Sequence, residues 1–281
     1  MLNKFRPNYS LDQLIDDLYK TLSDLSTTYE QWLFKKLHEN TNSGDIYFAF
    51  SLVPRFIPRI SIKLREGCFS NSLEELKHSK EYWSADQIAR LIILLKASKS
   101  GEQKFQELLQ MLLSTADYNE QISIYKSMIF LPYHELMINN VIDGLRSNIG
   151  EVFDSIALKN CYPSMYFEEA AWNQMVLKAL FIGRPIGEII GIDERINARL
   201  SQIAIDLAHE RWAAGREVNP DLWRVTVGYL DETNLNDIKR LLSGNEKEQI
   251  VGKYLCSVSS VDSLKKLVVG QSFGKYSWEQ I

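Results

Sequence analysis

Cysteine is scarce in this chain: three residues, Cys68, Cys161 and Cys256, far apart and in no CxxC pair. That spacing excludes a disulfide framework and a zinc ribbon, and reduced thiols are the expected state. Histidine is nearly as rare, four residues in the chain, with no HExxH among them. No metal and no cofactor is therefore expected. Basic charge is not in excess: a net charge of −4 and a pI near 5.7 lack the footprint of a nucleic-acid binder. Long apolar runs are missing too, and nothing approaches the roughly 20 residues of a membrane span. The strongest run, Leu91 to Leu95, is flanked by Arg90 and Lys96 and reads as a buried helix face. The start, MLNKFRPNYS, has no apolar core of a signal peptide. The expected location is the cytoplasm, with docking at the periphery of the inner membrane left open.

Helix signals fill the chain. Ser10 with Gln13 opens a helix over Leu11–Leu22, and Ser84 with Gln87 opens another with Ile88, Leu91, Ile92 and Leu95 on one stripe. Asp117 with Glu120 caps a third over 119–130. Further helices are expected at 29–38, 103–113 and 45–53, the last stopped by Pro54 and Pro58. A helix is expected from His134 to Arg146, with an extension past Gly150 towards Ala157 left open. Residues 60–64 alternate and read as extended chain or a helix start. Three short amphipathic helices close the chain at 235–242, 247–258 and 260–269, and the tail from Gly270 should be loosely attached. Helices of this length joined by short turns predict an all-α fold of stacked helical hairpins, a degenerate HEAT-like α-α superhelix. No linker divides it. One domain is expected over 1–281, with variable N-terminal helices (1–70), a helical-repeat part (84–160), a motif-bearing part (161–228) and C-terminal helices (234–281).

The stretch from Cys161 to Gly228 is unlike the rest. It holds three of the six tryptophans, and six arginines against one lysine, although lysine outnumbers arginine overall. Arginine's planar fork suits desolvated ion pairs and anionic ligands, whereas lysine is the usual solubilising charge. Tyr162-Pro163 predicts an extended entry to a helix over 164–181. Trp172, Asn173 and Lys178 then sit on or beside its apolar face. Asn173 is either an amide tying helices together or a cavity-facing group, and Lys178 either snorkels or faces the same cavity. Gly183-Arg184-Pro185 ends the helix. Asp193 reads as the N-cap of a helix over 194–214, with Arg195 in its first turn. On that helix Asp206 stands three residues before His209, close enough in the pattern to orient the imidazole, with Glu210 beside it. Asp206, His209 and Glu210 are thus weak catalytic candidates, because no nucleophile or metal ligand accompanies them. Arg211, Arg216 and Arg224 are expected to converge with Glu168, Glu169 and Glu210, as an ion-pair lattice or an anion pocket, beside Trp212 and Trp223.

The same stretch resembles the EboA family of bacterial ebo gene clusters. The likeness is carried by Tyr162-Pro163, by Ala171 to Phe181 with Gly183-Arg184-Pro185, and by Gly191 to Arg195. His209 to Arg216 and Pro220 to Arg224 complete it, with Asp86 to Arg90 and Asp154 to Leu158 as looser fragments. The resemblance implies a cytoplasmic helical protein. Its partners would be other ebo-cluster proteins, among them a membrane prenyltransferase. It also implies a part in making or moving secondary-metabolite precursors towards the periplasm. It supplies no catalytic residues. The expected function is a non-catalytic scaffold or metabolite-binding protein, binding through Trp172, Asn173, Lys178, Arg184, Asp193, Arg195, Arg211, Trp212, Arg216, Trp223 and Arg224. The alternative is an enzyme acting on a small anionic or prenylated metabolite through His209, Asp206 and Glu210.

Overall fold

The computed structural model describes residues 10–39, 43–62, 64, 83–270 and 278. Cys68 and all of the tail beyond Gly270 except Trp278 lie outside these residues. The chain forms two compact units, residues 1–167 and 168–281. The fold is all-α as expected, and no helix among the described residues is long and apolar enough to cross a membrane.

The first unit holds α1 (Leu11–Leu25), α2 (Thr27–Glu39) and α3 (Ser43–Phe56), then the two-residue strands β1 (Ser61–Ile62) and β2 (Trp83–Ser84). These pair antiparallel, Ser61 opposite Ser84 and Ile62 opposite Trp83. Within the alternating stretch at 60–64, Ser61 and Ile62 are thus extended chain. Then come α4 (Ala85–Ser98), α5 (Glu102–Thr115), α6 (Tyr118–Ser127), α7 (His134–Gly144), α8 (Gly150–Ala157) and α9 (Tyr162–Tyr166). The Ser84–Gln87 and Asp117–Glu120 capping boxes both form, each satisfying two backbone N–H groups that the helix itself leaves orphaned. At α1 the Ser10 hydroxyl accepts from the Gln13 N–H at 3.1 Å.

The organising helix of this unit is α4, packed by α1, α3, α5 and α6. Every residue of it except Lys96 is buried, so the helix is enclosed on all sides rather than packed along one stripe. Each Leu or Ile so enclosed contributes about 1.5–3 kcal/mol relative to exposure. Inside this enclosure Arg90 donates to Asp86 at 2.8 Å, with side chains 1% and 5% exposed. The Arg90 guanidinium also lies 5.4 Å from the Phe50 ring on α3. Burial of a charge at this depth is tolerable only with its partner in place.

Three local expectations fail here. Pro54 does not stop α3, which runs on to Phe56; in the final turn the Ile57 N–H still reaches the Val53 carbonyl at 2.9 Å. The helix expected over His134–Arg146 forms as α7, but its extension past Gly150 does not: the chain breaks after Gly144 and α8 starts anew at Gly150. Tyr162-Pro163 is not extended: both residues open α9, where proline's missing N–H falls among groups with no helical acceptor anyway.

The second unit holds α10 (Glu169–Phe181), α11 (Ala198–Ala213), a 3-10 segment at Pro220–Thr226, α12 (Leu235–Leu242), α13 (Glu246–Val258) and α14 (Asp262–Lys266). The expected helix over 164–181 is broken before Glu168, whose backbone is extended. Both α10 and α11 end the same way. Gly183 and Gly215 adopt left-handed φ angles of 72° and 66°. Each hands the next N–H back to the helix, Arg184 to the Ala179 carbonyl and Arg216 to the Arg211 carbonyl, both at 2.8 Å. These paired bonds close the last turn, and the two Gly-Arg signals in the sequence are therefore helix stops.

Candidate functional site

The motif residues of the second unit are held by three sets of contacts. The first joins α10 to the start of α11. Asn173, 6% exposed, gives its amide N–H to Asn197 Oδ1 at 3.1 Å and accepts from Asn197 Nδ2 at 2.8 Å. Asn197 Oδ1 also accepts from the Leu200 N–H at 2.9 Å and so caps α11. Asn173 is an amide that ties two helices together. Beside it Trp172 is fully buried, with the Arg195 guanidinium 4.5 Å from its ring. Burial lowers the Arg195 pKa, and the field of Glu169 opposes that shift.

This arrangement displaces Asp193 from its expected place. α11 begins four residues later than the pattern suggests, and Asn197, not Asp193, is the N-cap. Asp193 instead accepts two charge-assisted hydrogen bonds from Arg224, Nε at 2.7 Å and Nη2 at 2.6 Å. Such a planar fork is geometry that lysine cannot supply. The other guanidinium nitrogen, Nη1, lies 3.0 Å from where a Cβ on Gly187 would sit, so the absence of a side chain there lets the fork lie against the backbone. Asn219 caps the 3-10 segment that carries Arg224 by accepting from the Asp221 N–H.

The third set surrounds Trp212. His209 is 5.9 Å from its ring, Arg240 lies 4.3 Å over it, and Trp223 stacks on it at 5.7 Å and 30°. Asp206 does not orient His209. Its carboxylate takes the Gln202 amide at 2.9 Å, and the imidazole Nε2 lies 2.8 Å from Asp237 Oδ1 on α12. Glu210 and Arg216 are exposed, and Arg211 donates to the Glu217 carbonyl at 2.8 Å. The expected convergence of Arg211, Arg216 and Arg224 with Glu168, Glu169 and Glu210 is therefore replaced: Arg224 turns to Asp193 and Arg211 to backbone. Lys178 and Arg184 are partly exposed, near and beyond the end of α10. No group of three or more His, Cys, Asp or Glu among the described residues is placed to hold a metal.

One cleft adjoins this framework. It is a half-open space of about 310 Å³ lined by Pro185, Gly187, Glu188, Asn219, Pro220, Asp221, Arg224, Lys247 and Trp278. The Arg224 guanidinium is 5.8 Å from the Trp278 ring. Hydrogen-bond donors, carboxylates and one indole face thus meet in a space of small-molecule size. Of the sequence-predicted residues the cleft contains Arg224 directly and Asp193 through it. Glu188, Asn219, Asp221, Lys247 and Trp278 were missed. Glu188, Asn219 and Asp221 lie within the motif-bearing stretch 161–228, whereas Lys247 and Trp278 lie outside it and carry no local signal.

An all-helical chain whose motif residues frame a small polar cleft is the class defined by this fold and site. A family model described as metabolite traffic protein EboA matches residues 11–227. The chain belongs to the EboA family. No curated protein and no solved structure matches it.

Proposed function

We propose that the protein is a non-catalytic metabolite-binding component of metabolite traffic, and that the cleft between the 185–188 turn and the 219–224 segment holds the small molecule. The observation that carries this reading is Arg224. Its fork is fixed by Asp193 and by the bare backbone at Gly187, so it meets a ligand already oriented and loses little freedom on binding. Lys247 and Asn219 add donors, Glu188 and Asp221 add acceptors, and Trp278 adds an apolar face. The cargo is a secondary-metabolite precursor bound for the periplasm. The protein works in the cytoplasm with other proteins of an ebo-type cluster, a membrane prenyltransferase among them. The volume, about 310 Å³, suits one compact molecule.

The test is native mass spectrometry of the purified protein after exposure to a small-molecule extract of its host cell, with Tm followed in parallel. A retained metabolite that raises Tm is expected, and Arg224→Ala or Lys247→Glu should abolish both effects. Retention unchanged in both variants, or no retention at all, would overturn the assignment.

A further inference from the structure

α3 is apolar on two sides, although only one of them has a place in the core. Ala49, Phe50 and Val53 pack inward and are buried, as is Ile57 just past the helix end. Phe48, Leu52 and Phe56 follow one another at spacings of four along another side. Phe48 is 64% exposed and Phe56 49%, and Ile60, beyond the helix, is 42% exposed. A helix that is apolar all round is normally enclosed, as α4 is. Large apolar side chains gathered at one exposed place mark a contact surface.

These rings are braced. Trp32 of α2 stacks on Phe56 at 4.7 Å and 18°. Phe48 meets the Tyr47 ring edge-on at 5.7 Å, and the Tyr47 hydroxyl donates to Thr115 of α5 at 3.0 Å. The Ile60 carbonyl accepts from the Ala85 N–H at 2.9 Å. Side chains held in this way lose little freedom when something covers them.

The charge of the surface has one sign. From Ile46 to Ile62 the sequence contains no Asp or Glu, and its only charged residues are Arg55 and Arg59, in a chain whose net charge is −4. Both arginines are exposed. Arg59 donates to the neutral side-chain amide of Asn119, a bond that leaves its charge in place.

We propose that this face of the first unit docks on a lipid bilayer that carries anionic headgroups. Phe48, Leu52 and Phe56 enter the boundary between headgroups and acyl chains, and Arg55 and Arg59 stay among the phosphates. Aromatic rings with basic residues beside them are what settles at that depth. A protein partner would have to match the polar groups at the rim one by one. A layer of phosphates meets two cations in any orientation, and acyl chains accept the rings in any register. The surface is separate from the cleft around Arg224 and stands or falls without it.

The test sediments the full chain with vesicles, one set of phosphatidylcholine and the other an equimolar mixture of phosphatidylcholine and phosphatidylglycerol. Sedimentation with the mixed vesicles is expected, weakening as salt screens the guanidinium–phosphate attraction. Phe48→Ser should lower the partition coefficient on the order of tenfold. Arg55→Gln should lower it about fivefold on the mixed vesicles and leave the phosphatidylcholine set unchanged. Both side chains are exposed, so each variant should keep the Tm of the parent. No sedimentation of the parent chain with the mixed vesicles at low salt would overturn the proposal. So would sedimentation that Phe48→Ser and Phe56→Ser both leave unchanged. A dimer of the parent chain that Phe48→Ser splits would also overturn it, since the face would then belong to a second copy.

Discussion

Asn173 and Asn197 exchange their side-chain amides head to tail, at 3.1 and 2.8 Å, and in doing so fasten α10 to the first turn of α11. The arrangement uses one group twice, since Asn197 Oδ1 is also the cap of α11. A side chain 24 positions away in sequence therefore holds the residue that caps the helix.

Asn173→Ala should lower stability by about 1–3 kcal/mol, the cost of leaving the Asn197 amide short of a partner in a half-buried place. Asn197→Ala should cost about 1 kcal/mol more, because the cap of α11 goes with it. Urea unfolding of both variants measures the order. Equal losses would show that the cap contributes nothing.

The Asp86–Arg90 pair predicts strong non-additivity. Arg90→Met leaves a carboxylate uncompensated in the core of the first unit and should cost about 3–5 kcal/mol. The double variant Asp86→Leu, Arg90→Met removes both charges and should be more stable than Arg90→Met alone. Denaturant midpoints report this directly, and a double variant showing the sum of the two single losses would contradict it.

His134 predicts an acid-labile contribution. Its Nε2 lies 3.1 Å from the Ile129 carbonyl and its ring stacks on Tyr166 at 4.6 Å. Burial lowers its pKa from the ordinary 6.5, and the hydrogen bond to Ile129 opposes the shift. Below pH 6.5 the unfolded chain thus binds a proton that the folded chain resists, so stability falls as pH falls through that value and is recovered above it. His134→Gln should flatten the Tm profile between pH 5 and 7 relative to the parent. Parallel profiles would refute the role.

Much of the fold could be read from the sequence wherever the signal was local. The Ser84–Gln87 and Asp117–Glu120 boxes need only four consecutive residues, and α12 is bounded by its own amphipathic pattern at 235–242. The Gly-Arg stops at 183–184 and 215–216 are legible for the same reason. Partners set by tertiary packing were not legible. Asp206 is the nearest carboxylate to His209 along the helix, yet Asp237, 28 residues downstream, is the one that reaches it. Asp193 looks like a cap because its preference for N-caps is strong, but a bidentate arginine outbids it and Asn197 takes the role. In the cleft the arginine was visible in the motif, whereas Lys247 and Trp278 are ordinary in their own neighbourhoods.

The Asp86–Arg90 pair has a consequence for how the molecule is made. Its members are four residues apart on one helix whose capping box is also local, so the two charges can meet without closing any loop. The alternative, burying a lone guanidinium and finding its partner later, would oppose collapse at every step. α4 can thus enter the hydrophobic phase already neutralised, a preassembled spine on which α1, α3, α5 and α6 condense.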